Sequence, residues 1–243
     1  MSTLKATTIE PATGTNITLG TTGDTVALPG NTLALDTWKD SGGNTLFTSN
    51  GSGVVSSVNS GLAGAGPVLI QSQTASSSSG VAFTTGIDST YDKYMFVFFN
   101  INVSVDAAVF TFQTSTDGGS SYGVTNTSTF FQAHQYYDFS VDTGLAYQTS
   151  RDAAQSTSYQ LFTNHLDNGA TAGDVGILNL YAPSSTTYVK QWNARVSHQF
   201  YIPTSAFDVY TAGYFNTTSA IDAVNFKTDS GTFDGKIKLY GVK

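Results

Sequence analysis

Only two of the chain's 31 aromatic residues, Trp38 and Phe47, precede Pro67. Large rings supply most of the buried surface that closes a β-rich core, so a break this sharp divides the chain into two architectures. The first 66 residues form one region and residues 67–243 the other.

Residues 1–66 are rich in Gly, Ser, Thr and Asn and carry few charges, which suits neither a charged disordered tail nor an ordinary core. Short apolar pulses, Ile17-Thr18-Leu19, Val26-Ala27-Leu28, Leu33-Ala34-Leu35 and Leu46-Phe47, alternate with turn formers at 20–24, 29–31 and 41–44. Strands so short cannot enclose a private core, and copies must share one. The pattern predicts a repetitive β stalk whose Ile17, Leu19, Val26, Leu28, Leu33 and Leu35 meet around a trimer axis. A flexible low-complexity linker is the alternative.

From Leu69 onward no segment has the i, i+3, i+4, i+7 apolar pattern of an amphipathic helix, and the chain reads as strand after strand. Odd positions Met95, Val97, Phe99, Ile101, Val103 and Val105 predict a core face, with Asn100, Asn102 and Ser104 opposite. Tyr188, Trp192, Ala194, Val196 and Phe200 alternate likewise against Gln191, Asn193, Arg195, Ser197 and Gln199. Further strands are expected near 81–87, 108–114, 129–141, 157–164, 174–181, 206–215, 220–227 and 233–242. The fold class is therefore all-β, a short-strand trimeric stalk or collar followed by a jelly-roll-like antiparallel β-sandwich.

Composition then narrows function. A net charge of −7 makes nucleic acid and anionic membrane poor partners. Two Arg, three His, one Glu and no Cys leave little material for an arginine cluster, a histidine-rich or thiolate metal centre or a cysteine nucleophile. The apolar run 94–99 is far short of the about 20 residues a spanning helix needs, so no membrane insertion is expected, and synthesis in the cytosol follows. No cofactor and no metal is expected either.

Ser115-Thr116-Asp117-Gly118-Gly119-Ser120-Ser121-Tyr122 fits the Asp-box pattern of sialidases and related propellers. Physically it predicts a structural hairpin turn, with Asp117 accepting backbone hydrogen bonds, Gly118 and Gly119 at positive φ and Tyr122 packing the returning strand. The overlapping G-x-S-x-G, from Gly119 to Gly123, lacks the helix that a nucleophile elbow requires. His134, His165 and His198 stand at no metal-ligand spacing. Asp88 with Asp92, and Asp138 with Asp142, fit loop caps or calcium ligands, and since none forms the D-x-[DN]-x-[DN]-G loop, caps are the default reading.

The most suggestive stretch for binding is 130–141. Phe131, Ala133, Tyr137, Phe139 and Val141 read as its core face, which turns Gln132, His134, Tyr136 and Asp138 outward. An exposed ring flanked by hydrogen-bonding side chains suits a sugar, and the same residues suit a subunit interface.

The chain resembles fibre, spike and related virion proteins of tailed bacteriophages, particularly marine ones. The resemblance is carried by Gly14-Thr15-Asn16-Ile17-Thr18-Leu19-Gly20, by Lys39-Asp40-Ser41-Gly42-Gly43-Asn44-Thr45-Leu46-Phe47 and by Phe83-Thr84-Thr85-Gly86-Ile87-Asp88-Ser89-Thr90-Tyr91-Asp92-Lys93-Tyr94. The ending Ile237-Lys238-Leu239-Tyr240-Gly241-Val242-Lys243 is of the same style. It implies a non-enzymatic homotrimeric virion appendage, assembled in the host cytoplasm, that docks on other virion proteins through residues 1–66 and binds host-surface polysaccharide or protein through residues 67–243. The alternative is a capsid or tail decoration protein that stabilises the particle without binding a receptor.

Overall fold

The computed structural model describes residues 37–40, 42–49, 52, 66–137, 143–201 and 205–243, and the backbone of 55–58. The chain divides into two compact units, Met1–Gly64 and Ala65–Lys243.

In the first unit, β1 (Thr37–Lys39), β2 (Thr45–Ser49) and β3 (Val55–Val58) form an antiparallel sheet in that order. The turn between β1 and β2 is built by Asp40, whose Oδ1 accepts the Gly42 and Asn44 N–H groups at 2.9 and 2.8 Å, with Gly43 at φ +82°. Trp38 stands opposite Phe47 and stacks on it at 5.6 Å, so the region's two rings form one cross-strand pair. Ile17, Leu19, Val26, Leu28, Leu33 and Leu35 lie outside the described residues.

The second unit is all-β apart from one 3-10 turn at Thr149–Arg151. Its strands are β4 (Val68–Ser78), β5 (Val81–Phe83), β6 (Lys93–Val103), β7 (Phe110–Ser115), β8 (Asn126–Tyr136), β9 (Gly144–Tyr147) and β10 (Ala153–Ser156). They continue with β11 (Gln160–Leu161), β12 (Asp174–Tyr181), β13 (Lys190–Phe200), β14 (Ser205–Phe215), β15 (Ala223–Thr228) and β16 (Phe233–Val242). A nine-stranded sheet runs β10-β8-β14-β13-β12-β6-β16-β4 with β9 added on β8, and a four-stranded sheet runs β11-β7-β15-β5. Every pairing is antiparallel. Layers of nine and four strands replace the two equal four-stranded sheets of a jelly roll.

Phenylalanines from both sheets fill the space between them. Phe226 of β15 meets Phe96 and Phe98 of β6 at 5.1 and 5.2 Å, and Phe112 of β7 meets Trp192 of β13 at 4.9 Å. Edge-to-face rings satisfy each other's quadrupoles while burying large apolar areas, which is how a chain this poor in aliphatic residues closes a core.

The core face of β6 departs from the expected phase. Tyr94, Phe96 and Phe98 are buried, then Ile101 and Val103, so Met95, Val97 and Phe99 face outward. Asn100, at φ +50°, lies at register shifts against both neighbours, β12 and β16. A bulge there inserts one residue and moves the inward set from even to odd positions. On β13 the expected alternation is present at Trp192, Ala194 and Val196, whereas Tyr188 is exposed.

Candidate functional site

The phase of β8 is inverted relative to the sequence expectation. Gln132 is 4% exposed, and its Oε1 accepts the Asn164 Nδ2 hydrogen at 2.9 Å. His134 and Tyr136 are half-buried on the same inner face. His134 stacks on Phe207 at 5.3 Å and Tyr136 meets it edge-on at 6.2 Å. Gln132 and His134 are therefore not an outward surface, Tyr136 packs on Phe207 while also lining an open groove at the end of β8, and Asp138 lies outside the described residues.

The cause is a polar inner face. Asn126, Ser128 and Gln132 point inward with Phe130, because Gln160 Oε1 accepts hydrogen bonds from Asn126 Nδ2 at 2.7 Å and Ser128 Oγ at 2.6 Å, while Trp192 Nε1 donates to Asn126 Oδ1 at 2.9 Å. Satisfied in this way, buried amides cost little, and hydrophobicity stops reporting the face. The side that does face outward carries Phe131, Gln135 and, just past the strand, Tyr137.

Phe131 opens a ridge across the outer face of the large sheet. Its register partner Tyr210 stacks on it at 5.1 Å with ring planes 4° apart. On the other side of Tyr210, the Arg195 guanidinium lies 5.0 Å from the ring centre and holds Asp208, with Nη2 to Oδ2 at 2.6 Å. Asp208 also accepts the Tyr210 hydroxyl at 3.0 Å, and Arg195 holds its carboxyl below the ordinary range. The register continues the row through Ile177 and Val97, with Tyr147 opposite Phe131 at the other end. Phe131, Ile177 and Val175 remain 38%, 39% and 44% exposed.

Beside the ridge is an open groove of about 570 Å³, lined by Gln135, Tyr137, Thr171, Val175, Ser197 and Gln199 among others. Tyr137 is 74% exposed, and among the described residues no ring packs on it. Sequence reasoning missed this groove because it assigned Tyr137 to the core. The signal was present in the strand itself, since shifting β8 by one position brings out Gln135 and Tyr137 together.

Asp174, between groove residues Gly173 and Val175, is buried on the inner side of β12. Its Oδ1 accepts the Gln199 N–H at 3.2 Å, and among the described residues Oδ2 has no partner. Burial pushes its pKa up to about 7. His198 Nε2 accepts the Asn164 N–H at 3.2 Å, and burial pushes that imidazole down to about 4. The three histidines converge on two stacked rings: His134 and His198 lie on Phe207, His165 on Phe200, and Phe200 on Phe207 at 4.7 Å. Among the described residues no group of three or more acids or histidines is placed to hold a metal ion.

At the Asp-box, Asp117 Oδ1 accepts the Ser121 N–H at 2.9 Å and the Ser115 hydroxyl at 2.6 Å, with Gly118 and Gly119 at φ +71° and +85°. The Ser115 and Ser121 hydroxyls hold the carboxyl at about 2. The turn is not a hairpin, however. β7 belongs to the four-stranded sheet and β8 to the nine-stranded one, so the segment crosses between layers, and the Tyr122 hydroxyl lies over Gly119 instead of on a returning strand. No helix follows Gly123. Arg151 donates to Thr163 O at 3.3 Å and Asn164 Oδ1 at 2.6 Å, so both arginines of the chain hold structural partners.

No family model, no curated protein and no solved structure matches this chain. Among the described residues no helix is long and apolar enough to cross a membrane.

Proposed function

We propose that this chain is a non-enzymatic appendage protein of a bacteriophage virion, a fibre or spike component that assembles as a homotrimer and binds host-surface glycan. The observation that carries the reading is the outer face of the nine-stranded sheet, where Tyr147, Phe131 and Ile177 stay part-exposed in one row and Val175 stays part-exposed beside it. A single copy leaves that row in water, whereas an assembly covers it. The ridge's charged groups are tied to each other, Arg195 to Asp208, as suits a packing surface better than a reacting centre. In this reading residues 1–66 hold the trimer and the virion contact, and residues 67–243 face the host.

An assembling face serves a decoration protein equally well, so location on the particle separates the two. Labelled antibody against residues 67–243 should mark fibre or spike tips in electron micrographs of phage carrying this gene, and labelling spread over the capsid or tail surface would replace the appendage reading with decoration. Incubation with envelope polysaccharide and with ester and glycoside substrates should give no catalytic product. Turnover abolished by one carboxylate substitution would overturn the non-enzymatic reading.

A further inference from the structure

The two outer-face features of the large sheet differ in what they leave free. In the ridge, Phe131 and Arg195 sit on opposite faces of Tyr210, because β14 lies between β8 and β13. The rings stand like plates across strands about 4.8 Å apart, so no sugar can lay its C–H face on Tyr210. In the groove the reverse holds, since Tyr137 projects and among the described residues no ring covers it, whereas its neighbour Tyr136 is locked against Phe207.

We propose that the groove bounded by Tyr137, Gln135, Thr171, Ser197 and Gln199 is a binding site for an uncharged saccharide, with Tyr137 as the stacking platform. The proposal rests on the host-binding reading above and gives it a place and a ligand class. Three features select this ligand. The hydrogen-bonding side chains of the wall are amides and hydroxyls, which both donate and accept as sugar hydroxyls do, together with the imidazole of His198, which burial holds neutral. Among the described residues no Asp, Glu, Lys or Arg lines the groove, so an anionic sugar finds no counter-charge there; Asp174, between Gly173 and Val175, is turned to the other side of β12, and Asp138, next to Tyr137, lies outside the described residues. The groove is open, and its about 570 Å³ falls within the range of ligand clefts, which suits a hydrophilic chain entering from solvent better than an apolar molecule needing enclosure.

The test uses the full chain and saturation-transfer NMR with two probe sets, neutral glucan, galactan and mannan oligosaccharides and acidic alginate and polygalacturonate oligosaccharides. Weak binding of at least one neutral probe, with Kd of order 1 mM or tighter, is expected, and Tyr137→Ala and Gln199→Ala should each weaken it about tenfold or more. Because Tyr137 is exposed, its removal should leave the melting temperature unchanged. Phe131→Ala, on the ridge, should leave saccharide binding intact. Binding of acidic probes alone, or no binding of any neutral probe at about 10 mM, overturns the proposal. Neutral binding that survives Tyr137→Ala also overturns it, while the glycan-binding function stands at another place. Capture of a peptide instead of a sugar by the same groove, lost in Tyr137→Ala, refutes both.

Discussion

At the scale of single residues, two buried titratable groups with opposite shifts make stability depend on pH in a way that one of them alone would not. Asp174, raised to about 7, binds a proton in the folded state that the unfolded chain releases near its ordinary value of 3.8, so its contribution falls as pH rises through that window. His198, lowered to about 4, stays neutral when folded while the unfolded chain takes a proton below 6.5, so its contribution rises with pH between those values. The two slopes offset each other up to about pH 6.5, and beyond it Asp174 acts alone until it ionises. Asp174→Asn should stabilise the protein at about pH 8 by up to roughly 4 kcal/mol and leave a rising His198 slope between about pH 4 and 6.5. Urea unfolding at several pH values checks this, and a variant with the parent's pH profile would show that Asp174 is ionised in the fold. Asp117, held at about 2, has the opposite sign from Asp174: its support is present above its ordinary 3.8 and is lost as pH falls toward 2. Asp117→Ala should lower the melting temperature at neutral pH and leave saccharide binding by the folded protein unchanged. Lost binding with unchanged melting would make the loop a contact site.

At the scale of elements, the bulge at Asn100 decides which face of β6 enters the core, and it does so with Gly235 opposite. Gly235 sits at φ +139°, and a Cβ there would come within 2.7 Å of Ile101 Cδ1 and 2.9 Å of Asn100 O. Gly235→Ala should therefore destabilise strongly, by about 2 kcal/mol or more, and Asn100→Val by about 1–2 kcal/mol, while Asn100→Gly is tolerated. Thermal unfolding measures all three, and a neutral Asn100→Val would mean that the strand runs without the bulge. This element also shows how far the sequence could be read. Strand positions were legible wherever turn residues flank β-branched and aromatic runs, and β12 and β16 occupy the expected 174–181 and 233–242. Phase was not legible on β6, where residues 94–99 are apolar on both faces and periodicity is silent. On β8 the inner face is polar and partnered through Gln160, Asn164 and Trp192, contacts from more than 30 residues away that no local pattern contains. β4 was missed because its Gln and Ser run, with only Ala75 fully buried, has little hydrophobic pattern to show. The groove inherited the β8 error, so its residue types were visible and their face was not.

At the scale of the whole molecule, the proposed homotrimer draws on the part-exposed ridge of one unit and on the short apolar pulses in the sequence of the other. The pulses are the more decisive, because a charge placed among them has no counter-ion if they share a core. Ile17→Asp in the full chain should weaken assembly while leaving the β-sheet circular dichroism of residues 67–243 in place. An unchanged oligomer in that variant would remove the pulses from the interface. The most direct measurement is the mass of the intact protein by light scattering at micromolar concentration. Three chains of 25.6 kDa each in one particle are expected, and a single 25.6 kDa species whose first 66 residues are quickly cleaved by protease would contradict the shared core and restore the flexible linker.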